Sequence, residues 1–118
     1  MEVIVTGGAG YIGSTLIKKL LENDVDVASI DNLFRGDYKY LTDLSDKSPV
    51  KFVVGNICEK EDLEETIKGK NVEAIFHLAA LPGLELCVKN PKESVSTNIY
   101  GTYNVLEAVK NYGLEQIL

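Results

Sequence analysis

The sequence has no tryptophan, one histidine, two cysteines and no apolar run approaching the length of a membrane span. Each shortage closes off a class of function. With His77 as the single histidine, and Cys58 and Cys87 far apart with no ligand spacing around them, no metal site is expected. Two isolated thiols read as buried or half-buried cysteines in a reducing compartment. A bilayer-spanning helix needs about 20 apolar residues, and Met1 leads straight into strand-like residues without a basic leader, so the chain is expected to be cytoplasmic. Positive charge is scarce too: 12 basic against 18 acidic side chains give a formal charge of −6. That sign is opposite to the footprint of a nucleic-acid or anionic-membrane binder, and neither partner is expected. Any anion must be held by local geometry.

What is present fits one folded domain. The 118 residues are 45% hydrophobic and 25% charged, enough apolar material for a single core. Glu2 to Thr6 reads as a strand, Tyr11 to Glu22 as a helix with Ile12, Leu16, Ile17, Leu20 and Leu21 on one face, and Asp26 to Asp31 as a second strand. A polar, Gly-containing stretch from Asn32 to Pro49 precedes a third strand, Val50 to Val54. Lys60 to Ile67 reads as a short helix lying on a sheet, and Val72 to His77 as a fourth strand. Pro91 opens a long helix carrying Val95, Ile99, Thr102, Leu106 and Val109 on one face, which Gly113 ends. Alternating apolar strands and helices predict an α/β fold, a parallel sheet covered on both faces.

The stretch VTGGAGYIGS, Val5 to Ser14, concentrates the chemistry. Gly7, Gly10 and Gly13 lie between the first strand and the first helix, where missing Cβ atoms let a diphosphate approach backbone N–H groups. The positive end of the helix dipole then lets an acidic protein hold an anion. By itself the spacing is equally that of a tight strand-to-helix turn. Asp31, at the end of the second strand, adds a carboxylate able to accept both hydroxyls of an adenosine ribose and to repel a 2′-phosphate. That favours NAD over NADP, and Arg35, four residues on, relaxes the preference.

TGGAGYIGS, DNL, GNI, IFHLAAL and NIYGTYNVLEA, in this order, resemble the extended short-chain dehydrogenase/reductase family, and within it the NAD-dependent sugar-nucleotide epimerases and dehydratases. The resemblance implies a Rossmann-type doubly wound sheet, and residues 1–118 read as one NAD-binding domain, truncated after the fourth strand and its following helix. It implies that Gly7, Gly10, Tyr11, Ile12 and Gly13 line the pyrophosphate, and that Asp31 and Asn32, with Arg35, hold the adenosine ribose. Asn56 stands where the family commonly has an acidic residue facing adenine, with Ile57 covering the ring. Leu78, Ala79, Ala80 and Leu81 would approach the cofactor at the end of the fourth strand, and Asn98 would point back toward the active-site region. His77 reads as a satisfied strand-end residue rather than a base.

The family's chemistry needs a Tyr-x-x-x-Lys pair, in which the lysine charge lowers the tyrosine pKa for proton exchange near neutrality. None of the six tyrosines, at positions 11, 38, 40, 100, 103 and 112, has a lysine four residues on. No catalytic residue is therefore assigned. The chain reads as the cofactor-binding portion of an enzyme acting on a nucleotide-sugar; a stand-alone nucleotide-binding module and a non-functional truncated product remain alternatives. Leu114 to Leu118 reads as the approach to a fifth strand that does not form. That would leave Ala74 to Leu78 as an exposed edge and invite self-association, and the resemblance implies a homodimer through the long helix.

Overall fold

A computed structural model describes residues 1–37, 39–45 and 50–118. Five parallel strands form one sheet in the order β3-β2-β1-β4-β5. They are β1 (Glu2–Thr6), β2 (Asp26–Asp31), β3 (Lys51–Val54), β4 (Val72–His77) and β5 (Gln116–Ile117). β1 lies at the centre, and alternation along it feeds two cores. Ile4 packs with Ile30, Leu63, Ile75 and Val105 on one face, while Val3 and Val5 pack with Ile17, Val27 and Leu41 on the other. Helices α1 (Tyr11–Leu21) and α2 (Lys39–Ser45) belong to the second face, α3 (Lys60–Ile67) and α6 (Thr102–Tyr112) to the first. The sheet is thus doubly wound, as the alternation predicts.

Register aligns the carboxyl ends of the strands. Thr6 is opposite Ile30 on β2 and His77 on β4, and Asp31 is opposite Val54 on β3. The loops that follow therefore leave the same edge of the sheet. Chain order reverses at β1, which sends β2 to one side and β4 to the other, opening a crevice between their exits.

Several elements differ from expectation. The stretch from Asn32 contains α2, and the end of that stretch, including Pro49, lies outside the described residues. Pro82-Gly83 leads into a further short helix, α4 (Leu84–Lys89). The long helix begins with Pro91 at its first position, as expected, but is built of α5 (Pro91–Val95), a π-helical segment (Ser96–Gly101) and α6. Gly113 ends it in the left-handed conformation, φ 64°. Its core-facing residues are Thr97, Gly101, Asn104, Val105 and Ala108, while Val95, Ile99 and Leu106 of the predicted face are exposed. The π segment shifts the phase of the helix, so one apolar stripe cannot stay on one side.

A fifth strand does form. Gln116 and Ile117 pair with Ala74 and Ile75, Leu118 N–H donates to the Ile75 carbonyl at 2.9 Å, and His77 N–H donates to the Leu118 carbonyl at 2.8 Å. The expected bare edge along β4 is covered, because the few residues after Gly113 reach far enough to pair. Among the described residues no helix is long and apolar enough to cross a membrane.

Candidate functional site

At the carboxyl edge of the sheet the glycine turn, the β2 and β3 exits and the loop after β4 surround a cleft of about 530 Å³. Gly7 takes φ 74°, a conformation suited to glycine, and its N–H donates to the Ile30 carbonyl at 2.8 Å, which ties the turn to β2. Gly10 precedes α1 in ordinary extended geometry, φ −77° and ψ 170°. No side chain caps α1 and its first turn has no acidic residue. The N–H groups of Tyr11, Ile12 and Gly13 are left for whatever enters the cleft. Ile12, expected on the buried face of α1, is 69% exposed at this mouth.

Asp31 joins the turn to the β2 loop. One carboxylate oxygen accepts the Ala9 N–H at 3.0 Å, the other the Leu33 N–H at 2.8 Å. Each oxygen keeps a lone pair for a ligand hydroxyl. Leu33 has φ 61°, and Asn32 Oδ1 accepts the Phe34 N–H at 3.0 Å, so two successive Asx turns bend this loop over the cleft. Asp37 N–H then donates to the Ala9 carbonyl at 3.0 Å, which brings Gly36 against Ala9. Arg35 is exposed at the rim, where the cleft meets a smaller one of about 360 Å³ bordered by Pro82 to Leu86 and Lys89.

On the β3 side, Asn56 Oδ1 accepts the Cys58 N–H at 2.9 Å, and Asn56 N–H donates to Asp62 Oδ2 at 2.9 Å. The oxygen expected to meet adenine already has one partner and keeps one lone pair. Ile57 is held from behind: Asn104 Nδ2 donates to its carbonyl at 2.9 Å and Gly101 admits its side chain. The Cys58 thiol donates to the Ser96 carbonyl at 3.2 Å, and burial pushes its pKa up.

Leu78, Ala79, Ala80 and Leu81 form the wall after β4. The Thr6 hydroxyl oxygen lies 3.1 Å from the N–H groups of Leu78 and Ala79. His77 bridges Thr6 Oγ1, 2.7 Å from its Nδ1, and Thr102 Oγ1, 2.9 Å from its Nε2, and burial lowers its pKa. It is the satisfied strand-end residue expected.

Asn98 reaches back toward the cleft but does not line it. Its Oδ1 accepts the Leu81 N–H at 2.8 Å and its Nδ2 donates to the Leu81 carbonyl at 3.0 Å. Both ends of the amide grip one residue of the wall, Leu81, and the neighbouring Thr97, not Asn98, lines the cleft. The other fourteen residues singled out in the sequence all line it. Phe34, Gly36, Tyr40, Pro82 and Thr97 also line it and were not singled out. Gly36 alone carried a signal, as a glycine in a loop that must fold back on a glycine turn.

The sequence pattern of the NAD dependent epimerase/dehydratase family matches residues 3–118. The chain belongs to this family. A dTDP-glucose 4,6-dehydratase from Shigella flexneri is 35% identical over 114 residues, covering 95% of this chain and 32% of the relative. Among solved structures, the UDP-glucose 4-epimerase of Thermus thermophilus in complex with NAD has a TM-score of 0.86 at 33% identity, over 99% of this chain and 36% of that one. That of Bifidobacterium longum, in complex with NAD+ and UDP, has a TM-score of 0.92 at 28% identity, with the same coverage. This member of the family spans about a third of the length of the curated relatives it matches.

Proposed function

We propose that this chain is the NAD-binding portion of a nucleotide-sugar epimerase or dehydratase. The observation that carries the reading is Gly10. Its backbone angles suit any residue, and a Cβ there would meet only the Gly7 carbonyl oxygen, at 3.3 Å, within the cleft wall. The fold asks far less for a glycine here than at Gly13, where a Cβ would lie 2.2 Å from the same oxygen, and a ligand pressed against the backbone supplies the further reason. The uncapped α1 N-terminus and the Asp31 carboxylate supply the complementary halves of a dinucleotide site, one for the diphosphate and one for the adenosine ribose. Ile57 and Asn56 suit the adenine, and the Leu78–Leu81 wall suits the part of the dinucleotide beyond the diphosphate.

Bound NAD supplies a hydride acceptor. These residues bind and orient the dinucleotide; none is positioned as a tyrosine–lysine acid–base pair, and turnover of a nucleotide-sugar requires groups beyond them. The thiols Cys58 and Cys87 are free, as suits a reducing cytoplasm. The exposed face of α5 and α6 suits pairing with a second copy.

Calorimetric titration of the 118-residue chain with NAD, ADP-ribose and NADP tests the reading. Saturable binding of NAD and of ADP-ribose is expected, with NADP weaker because Asp31 faces the 2′ position. Silence with both NAD and ADP-ribose would remove the binding role.

A further inference from the structure

Thr6, His77, Thr102 and Asn98 form a chain of hydrogen bonds behind the cleft wall, and the order of donors in it follows from counting. Thr6 Oγ1 has one hydrogen and two lone pairs. The Ala79 N–H donates to it at 3.1 Å, and the Leu78 N–H is shared between it and the Thr6 carbonyl, both at 3.1 Å. Backbone N–H groups only donate, so both lone pairs are taken and the hydroxyl hydrogen points to His77 Nδ1, 2.7 Å away. Nδ1 must then be the bare nitrogen, and the ring hydrogen sits on Nε2, facing Thr102 Oγ1 at 2.9 Å. Thr102 Oγ1 passes its own hydrogen to the Asn98 carbonyl at 2.9 Å. That acceptor is the main-chain carbonyl of Asn98, whose side chain separately holds Leu81. The chain thus starts at Leu78 and Ala79, crosses β1, β4 and α6, and ends on Asn98, the residue that holds the same wall at Leu81.

We propose that His77 is a positioning residue of the cofactor cleft: by accepting the Thr6 hydroxyl hydrogen through Nδ1 it turns the Thr6 oxygen toward Leu78 and Ala79 and so fixes the wall facing the dinucleotide. This rests on the NAD-binding reading above. Only the neutral Nε2–H tautomer serves all the partners, because a hydrogen on Nδ1 would oppose the Thr6 hydroxyl. Burial, which lowers the His77 pKa, favours that neutral form. An aromatic ring without the acceptor would leave Thr6 free to rotate while filling the same space.

The test uses the 15N-labelled 118-residue chain, in which His77 is the single histidine and its ring signals need no assignment. The wild type is expected to show the Nε2–H tautomer at neutral pH. In His77→Phe the Leu78 and Ala79 amide resonances should shift and the Kd for NAD should rise about tenfold, the scale of one lost hydrogen-bonded arrangement. His77→Asn keeps an acceptor near the Nδ1 position and should restore both readouts to within about threefold in affinity. A wild-type Nδ1–H tautomer would overturn the proposal. So would a folded His77→Phe chain with unmoved Leu78 and Ala79 amides, or one with moved amides and unchanged NAD affinity. If the wild type binds no NAD, the reading of function falls and His77 has no cofactor to position, whereas binding with a wrong tautomer removes only the positioning role.

Discussion

A Cβ built on Gly13 would sit 2.2 Å from the Gly7 carbonyl oxygen and 2.8 Å from Gly8 Cα, both backbone atoms of the turn. One on Gly10 would have no contact closer than 3.3 Å. The turn thus constrains Gly13 severely and Gly10 only lightly, which leaves room for an external demand at Gly10. Gly13→Ala is expected to cost about 1–3 kcal/mol of stability in urea unfolding, the usual range for forced overpacking. Gly10→Val should stay within about 1 kcal/mol of wild type, the scale of an altered helix N-cap, yet lose at least tenfold in NAD affinity, about 1.4 kcal/mol. Equal destabilisation of both variants with unchanged affinity would make the whole turn structural. The glycine spacing was legible in the sequence; this division of labour was not, because spacing does not encode which atoms come to face each glycine. His77 gives a residue-scale pH dependence. Its folded-state pKa is lowered by burial, so at acid pH the unfolded chain binds the proton more readily. Stability from this group is present above the unfolded value, about 6.5, and is lost as pH falls below it toward the folded pKa. Thermal melts should drop over that window in the wild type and less in His77→Asn; parallel curves would contradict this.

The element that the sequence concealed most is the π segment, Ser96–Gly101. Periodicity located the long helix, Pro91 its start and Gly113 its end, because those signals are local. The widened turn is not local. It exists where Gly101 meets Ile57, whose Cδ1 and Cγ1 would lie 2.6 and 2.7 Å from a Cβ. Helices α2 and α4 were hidden for a different reason: they have 7 and 6 residues, too few for a 3.6-residue period to stand out. At Gly101 two effects compete. Alanine in a helix gains about 0.5–1 kcal/mol over glycine, while displacing a buried isoleucine costs about 1–3 kcal/mol. The clash should win, so Gly101→Ala is expected to destabilise the chain and to push Ile57 into the cleft it lines, weakening NAD binding. Made in an Ile57→Ala background, the same change should become neutral or stabilising, since the space is then vacant. A double-mutant cycle measures this directly. Strict additivity of the two changes would show that Gly101 and Ile57 are not coupled.

At the scale of the molecule, an apolar stripe lies uncovered along the long helix. Val95, Ile99, Tyr100, Tyr103 and Leu106 are each at least half exposed along α5, the π segment and α6, and the Tyr100 and Tyr103 rings stack 6.1 Å apart. Exposed apolar side chains grouped in this way suit the pairing with a second copy proposed above. The sequence placed the apolar stripe on this helix but not its direction, since a helix apolar on two sides does not reveal which one meets the sheet. Its expectation of an open edge at β4 fails because β5 pairs there, which removes edge pairing at Ala74 and Ile75 as the reason for self-association. The helix face and the edge at Gln116–Ile117 are two candidate routes to a dimer, and they respond to different substitutions. The formal charge of −6 opposes association, a repulsion that added salt screens. Sedimentation equilibrium is expected to give about twice the 13.0 kDa chain mass, more completely as salt rises. Ile99→Glu with Leu106→Glu should return the chain to monomer with its melting temperature little changed, because both side chains point away from the core. Ile117→Pro, which removes an outward N–H from the free edge of β5, should leave the dimer intact. A dimer broken by Ile117→Pro and indifferent to the helix pair would assign association to the sheet edge, and a monomer at all concentrations would remove self-association from the function of this face.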